Sequence, residues 1–371
     1  KNMVKDVATS RNLKPEAVNA LADSLTLLAD PKVSVKGGLV DKLCYISEVK
    51  KILKEKAGIE EDESIKFVTT KDVAKAETLQ EKISDEVAVY YAYGDIVDTR
   101  STSFQQEAVI CGEDVIKDLQ ELREDDDIKA VVIRVNSGGG SAYASEQIWH
   151  EVELLKAEKP VVISMGGMAA SGGYYISCGA NAIYAEPTTL TGSIGIFGMV
   201  PDASELLSEK LGLKHDVVKT NAMSDFGSLM RPFNEAESNL MQAHVNKGYE
   251  LFTGRVAEGR KMKKDDVKAI AEGRVWTGAT AKELGLVDEL GGLDKALEIA
   301  AQKAEVDAYS IIRYPNQNSF FSSLLNEGKD DYINGKMQEV LGESYNYIKF
   351  IENLKDQDRI QARMPFDLRI Q

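Results

Sequence analysis

The spacing of apolar positions changes along this chain. Over residues 1–59 they recur at helical intervals, with Val18, Leu21, Leu25 and Leu28 on one face, which predicts mostly helix. Residues 60–85 are charged and mixed, and read as a linker. From Val87 onward the pattern becomes short apolar runs at 87–93, 130–135, 160–165 and 181–185, which read as buried strands. Helical patterns at 113–123, 141–157 and 235–259 separate or follow them. Strands alternating with helices predict an α/β domain over 86–306. Residues 307–371 form a polar, aromatic-containing extension that the pattern does not place.

A long internal repeat underlies this layout. Arg11, Lys14, Val18, Ala20 and Ala22 recur as Arg260, Lys263, Val267, Ala269 and Ala271, 249 residues later. Gly38-Leu39-Val40-Asp41 then recurs as Gly285-Leu286-Val287-Asp288, at an offset of 247. Two ordered matches at nearly one offset argue for duplication. Because Lys1 already lies late in the first copy, that copy is expected to be present only as its helical tail, with its core upstream. The absence of Met at position 1 fits a processed chain or an excised fragment.

Composition narrows the class. The 371 residues suffice for about two domains. With 43% hydrophobic and 28% charged residues the chain is globular rather than disordered or fibrous. A net charge of −15 repels phosphate backbones, so nucleic acid is excluded as a partner. No apolar run approaches the ~20 residues that span a bilayer, and the start at Lys1-Asn2-Met3 has no signal-peptide pattern. Cys44, Cys111 and Cys178 have neither metal nor disulfide spacing, and read as small buried hydrophobes. No metal or cofactor is expected.

Three segments that follow strands hold the candidate chemistry. Asn136-Ser137-Gly138-Gly139-Gly140-Ser141 is a glycine-rich turn before a helix, where backbone N–H groups can hold an oxyanion. Gly166-Gly167-Met168-Ala169-Ala170-Ser171-Gly172-Gly173-Tyr174-Tyr175 surrounds one serine with small residues, as a nucleophile elbow does. Leu190-Thr191-Gly192-Ser193-Ile194-Gly195 suggests a strand edge lining a site. Singly, the first and third read as a simple turn and an ordinary glycine-containing strand, and the second equally well as close helix packing. A serine nucleophile needs a base. His150, His215 and His244 each lack a partner acid in a recognisable frame, and read as surface or packed histidines. A lysine base would have to be neutral, its pKa lowered by burial from ~10.4 to about 7–8, and no single lysine stands out.

Together, and in this order and spacing, Asn136–Ser141, Ala169–Tyr175, Thr191–Gly195 and Val275-Trp276-Thr277-Gly278 with Gly285–Asp288 resemble the signal peptide peptidase A family, also called protease IV. The resemblance covers about 85 to 305, and the tail at 1–59 resembles the long, duplicated form. It implies a fold like that of the Clp protease subunit and crotonase, built from repeated ββα units. It also implies a Ser–Lys dyad that cleaves remnant signal peptides at the membrane. Ser171 matches the nucleophile. Gly140 and the N–H of Gly172 match the oxyanion donors, Gly139 shapes the turn, and Ser193 matches the hydroxyl that helps hold the lysine. The expected partners are extended hydrophobic peptides and further copies of the chain in a ring-like homo-oligomer. The expected setting is the bacterial cell envelope, with the catalytic part outside the cytoplasm and an anchor upstream.

The base is where the chain departs from this pattern. Ser224 occupies the lysine position of the short family form, and nearby Lys219 matches a different position. In the long form the lysine comes from the first copy, so here it is expected upstream of Lys1. This reading requires Ser171 to face a groove or an amide-lined pocket. Two other readings stand beside it: a crotonase-like acyl-CoA enzyme, which shares the oxyanion geometry without a serine nucleophile, and a non-catalytic assembly module.

Overall fold

The computed structural model describes residues 1–23, 30–60, 63–69, 85–99, 109–315 and 360–363. Leu25, Leu28, most of the linker and most of 307–371 lie outside the described residues. The chain divides into two compact units, Lys1–Glu81 and Lys82–Gln371.

The first unit is helical, as its spacing predicts: α1 (Asn2–Ser10), α2 (Pro15–Asp23), α3 (Lys32–Lys36) and α4 (Ile46–Ala57). Cys44 is exposed, which corrects its reading as a buried hydrophobe; Cys111 and Cys178 are buried.

The second unit repeats a simple plan. A long strand enters a central sheet, a short one joins a second sheet, and a helix follows. The first instance is β1 (Glu86–Tyr93), β2 (Asp95–Val97), β3 (Val109–Cys111) and α5 (Gly112–Glu124). The next is β4 (Ile128–Ser137), β5 (Gly139–Ser141) and α6 (Ala142–Glu158), followed by β6 (Val161–Ala170) and α7 (Gly172–Tyr175). β7 (Ala182–Ala185), β8 (Leu190–Gly192) and β9 (Phe197–Gly198) come next. After these are α8 (Glu235–Gly259), α9 (Lys264–Ile270), β10 (Val275–Thr277), α10 (Gly278–Glu283), β11 (Glu289–Leu290) and α11 (Leu293–Lys303). β12 (Ser310–Tyr314) and β13 (Ile360–Arg363) place parts of the extension that periodicity left unassigned.

The central sheet runs β10-β8-β6-β4-β1-β12. β12, β1, β4, β6 and β8 are parallel neighbours, and β10 is antiparallel to β8. Alternate residues face opposite layers, as pleating requires. Val87, Val89, Val132 and Val162 pack against Ala296, Leu297 and Ala300 of α11. Ala88, Val131, Ile133 and Ile163 face Leu119, Ile148 and Leu155 of α5 and α6. With both faces covered, the strands read as continuous apolar runs rather than alternating ones.

The repeat has matching local structure. Arg11 Nε donates to the Gly38 carbonyl at 2.8 Å, and its terminal nitrogens fork onto Asp41 at 2.9 and 3.2 Å. Arg260 does the same to the Gly285 carbonyl at 3.1 Å and to Asp288 at 2.6 and 3.0 Å. Gly38 and Gly285 take φ of 76° and 78°, the left-handed conformation that glycine adopts most readily. The surroundings differ. Asp288 also accepts the Ile183 N–H of β7 at 2.7 Å, and α11 buries its apolar side. In α4, Ile46 is 78% and Leu53 is 41% exposed.

Candidate active site

β6 delivers Ser171 to the end of the sheet. Its first half pairs with β7 and its last residues pair with β8, up to Ala170 opposite Gly192. One step on, Ser171 and Ser193 occupy neighbouring positions. Both turn sharply there, with φ of 53° and 48°, a conformation that is uncommon for non-glycine residues. The Ser171 N–H donates to the Gly192 carbonyl at 2.8 Å, and the Ser193 N–H to the Arg274 carbonyl at 2.7 Å. β8 is an inner strand between β6 and β10, which corrects its reading as a strand edge.

The glycine-rich turn meets this serine from the neighbouring strand. β5 approaches α7, the helix that begins after Ser171, to within 8 Å between Cα atoms. Gly139 has φ of 105° and donates its N–H to Ser137 Oγ at 3.1 Å. Residues 139–141 form a strand of their own rather than only a turn, and Gly140 pairs with Ile96. A Cβ at Gly140 would strike the Ile96 backbone. Asn136, whose role the sequence reading missed, accepts the Met168 N–H on Oδ1 at 3.1 Å and holds the glycine-containing irregularity of β6 in place.

Ser171 is 0% exposed, and its Oγ has no hydrogen-bond partner among the described residues. The expectation of an open groove is therefore not met, whereas the glycine turn does lie beside the serine. A buried hydroxyl without a partner costs about 1–3 kcal/mol, so such groups call for an explanation.

Two tyrosines hold α7 firmly. Tyr174 Oη donates to the Leu286 carbonyl at 2.8 Å. Tyr175 Oη donates to Glu146 at 2.6 Å, and Arg255 pairs with the same carboxylate at 2.6 Å. Arg255 also stacks over Trp149 at 3.8 Å, and Tyr175 over Phe252 at 4.3 Å. Burial first, and then the Glu146 bond, push the Tyr175 phenol pKa far up, so it stays a donor. These partners could not be found from local pattern, because they come from α6, α8 and the loop before β11.

None of the candidate bases reaches Ser171 Oγ. His150, His215 and His244 are exposed. Ser224 is exposed in a turn and donates to the Asn221 carbonyl at 3.0 Å. Lys219 is committed to Asp225 at 2.8 Å. That pair belongs to a clip in which Arg231 forks onto Asp225 and onto the buried Glu237, at 2.6–2.8 Å. Arg231 first, and then the Asn234 N–H, hold Glu237 down to about 2. A depressed carboxylate stabilises fully above its ordinary value of 4.5 and loses that stabilisation as pH falls through its folded value. Protection of the amides at the start of α8, taken relative to the free-peptide exchange rate at each pH, is therefore expected to hold from neutral pH to about pH 4 and to fall toward pH 2. In Arg231→Ala the fall should begin at higher pH; an unchanged profile would remove the clip from the account.

Comparison with known proteins decides the family. Residues 153–307 match Peptidase family S49, and residues 84–189 match Clp protease. The chain is 34% identical to the "Putative signal peptide peptidase SppA" of Enterococcus faecium over 249 residues, 67% of this chain and 72% of that one. The chain belongs to peptidase family S49. The Clp protease match, over residues 84–189, assigns the α/β core its fold. Other S49-type relatives are longer. "Protease 4" of Salmonella typhi is 34% identical over 354 residues, 92% of this chain and 55% of the relative. "Serine protease SPPA, chloroplastic" of Arabidopsis thaliana is 33% identical over 333 residues, 89% and 48% respectively. The chain thus spans about half the length of these two relatives.

Proposed function

We propose that this chain carries the nucleophile of a serine endopeptidase that degrades cleaved signal peptides at a membrane, and that a lysine from outside residues 1–371 serves as its base. The observation that carries this reading is Ser171 itself: a serine with φ of 53° at a strand end, its Oγ buried and without a partner, beside a glycine turn. In this reading Ser171 Oγ attacks the peptide carbonyl carbon and its proton passes to the lysine amine. The N–H groups of Gly140 and Gly172 hold the oxyanion, an interaction worth about 2.7–4 kcal/mol per donor. Gly139 shapes that turn, and Ser193 positions the lysine. The amine returns the proton to the leaving nitrogen, and water then hydrolyses the acyl-enzyme.

The repeat supports the source of the base. Residues 1–59 are the tail of a first copy, 60–85 a linker, 86–306 the peptidase domain and 307–371 its extension. The exposed apolar side of α4 fits a tail whose own core belongs to the first copy. That copy supplies the lysine and, further upstream, the membrane anchor; among the described residues no helix is long and apolar enough to cross a bilayer. The protein works as a homo-oligomer in the bacterial cell envelope, with its catalytic part outside the cytoplasm.

Fluorophosphonate labelling of the full-length protein tests this reading. A stoichiometric adduct on Ser171 is expected, and residues 1–371 alone should label far more slowly. An acyl-CoA enzyme of the same fold would leave Ser171 unlabelled, and that result would sink the peptidase reading.

A further inference from the structure

Three glycines in a row cannot hold a turn by themselves. Gly138, Gly139 and Gly140 have no side chains to pack, and glycine loses more conformational freedom on folding than any other residue. What fixes this stretch lies at its two ends. At one end Ser137 Oγ accepts the Gly139 N–H at 3.1 Å. At the other, Ser141 is 2% exposed and its hydroxyl donates to Asp98 Oδ1. The same Ser141 Oγ accepts the Ala144 N–H at 3.2 Å, which caps α6, and the Ser141 carbonyl accepts the Ser145 hydroxyl at 2.7 Å. β5 is also paired along its edges, Gly140 with Ile96 of β2 and residues 139–141 with β13.

Asp98 is seated firmly enough to serve as an anchor. It directly follows β2. Its carbonyl accepts from Cys111 Sγ at 3.8 Å. Gly112, at the start of α5, comes so close that an added Cβ would lie 3.5 Å from that carbonyl oxygen and 3.0 Å from Ala144 Cβ of α6. The Asp98 backbone is thus held between the starts of two helices. Its carboxylate meets the residue that caps α6, an end where negative charge is favoured. A hydroxyl bound to a carboxylate also makes a stronger hydrogen bond than two neutral groups do. We propose that Asp98 is a positioning residue for the reaction: through Ser141 Oγ it fixes the glycine turn, so that the Gly140 N–H stays aimed at the oxyanion. Asp98 itself touches no reacting atom. A site of this kind must be held to within about 0.5 Å by supporting groups, and Gly140 has no side chain by which to hold it. Asp98 stands 43 residues before Ser141, so local pattern could not pair them. The proposal rests on the peptidase reading, in which Gly140 is an oxyanion donor.

The test uses the full-length protein, unaltered and as Asp98→Ala, Asp98→Asn, Ser141→Ala and the double alanine variant. Active sites are counted by fluorophosphonate labelling taken to completion. Asp98→Ala should lower kcat per labelled site about 10- to 50-fold and leave KM within about twofold, because an oxyanion contact is made only in the transition state. Ser141→Ala should show the same split, and the double variant should lose no more than the worse single one. Asp98→Asn keeps an acceptor for the Ser141 hydroxyl and should stay within about threefold of the unaltered enzyme. A trileucine aldehyde, whose adduct with the serine carries the oxyanion, should bind Asp98→Ala at least about tenfold more weakly, whereas trileucine alcohol, which forms no adduct, should bind within about twofold. A merely structural Asp98 would lower the melting temperature and the number of labelled sites, but neither kcat per site nor the aldehyde-to-alcohol ratio; that result overturns the proposal. Additive losses, or asparagine as damaging as alanine, overturn it too. If Asp98→Ala does not fold, Ser141→Ala and Asp98→Asn decide the case by the same readouts. An unaltered protein that neither cleaves nor labels at Ser171 sinks the peptidase reading and this proposal with it, whereas normal cleavage with an unchanged split in the variants sinks the proposal alone.

Discussion

Replacing Ser171 by alanine in the full-length protein is expected to lower kcat/KM for peptide cleavage by about 10⁴-fold or more while leaving the fold intact. The size of the effect follows from chemistry: alanine offers no atom that can form an acyl bond, and losing a nucleophile removes the whole covalent route. The retained stability follows from the surroundings. Ser171 Oγ is buried and makes no hydrogen bond among the described residues, so its removal breaks none and relieves a desolvation penalty. Alanine also meets the φ of 53° with no greater steric difficulty than serine. The melting temperature should therefore hold or rise slightly, the pattern expected where function is kept at the expense of stability. Measuring cleavage and melting on the same preparation separates the two effects. Undiminished cleavage would remove Ser171 from the mechanism.

Gly140→Ala is expected to give the second largest loss, about 10²–10³ in kcat, through a different cause. A Cβ at Gly140 would collide with the Ile96 carbonyl oxygen and sit 2.6 Å from its nitrogen and 2.8 Å from its carbonyl carbon. These atoms are backbone within β2 and cannot swing aside, so β5 itself must shift. The shift moves the proposed oxyanion donor and costs about 1–3 kcal/mol of stability, as overpacking does. Gly138→Ala is the matched control. Its added Cβ meets only Met168 Sδ, at 3.4 Å, the end of a flexible side chain. Steady-state kinetics and melting of both variants decide the matter: a Gly140→Ala protein with unchanged kcat would show that this amide does not serve the reaction.

Much of the frame was legible before any coordinates. The runs at 87–93 and 130–135 became β1 and β4 because strands buried on both faces are apolar at every position. The helix at 235–259 matched α8 at both ends, where Asn234 caps the start by accepting the Glu237 N–H at 3.0 Å. The repeat was legible as well, and the paired Arg11 and Arg260 forks give its two ends the same local hydrogen bonds. Other features were not legible. Cys44 was misread because a lone cysteine carries no local sign of its burial. β6 runs on through Gly166 and Gly167 to Ala170, beyond its apolar run, because Asn136 of the neighbouring strand supports it there.

The sequence by itself determined the α/β class, the order of the main apolar strands and long helices, the internal repeat, and the set of small residues around Ser171. All of these depend on chemistry within a few residues: periodicity, turn preference and the room a glycine leaves. Only the tertiary structure decided that Ser171 is buried without a partner, that Glu146 joins Tyr175 to Arg255, 109 residues further along from Glu146, and that residues 360–363 lie against Gly139–Ser141. Those facts depend on which distant segments meet when the sheet closes. Hydrophobic burial and strand pairing decide that for the whole chain at once, and the local pattern around Ser171 carries no record of it.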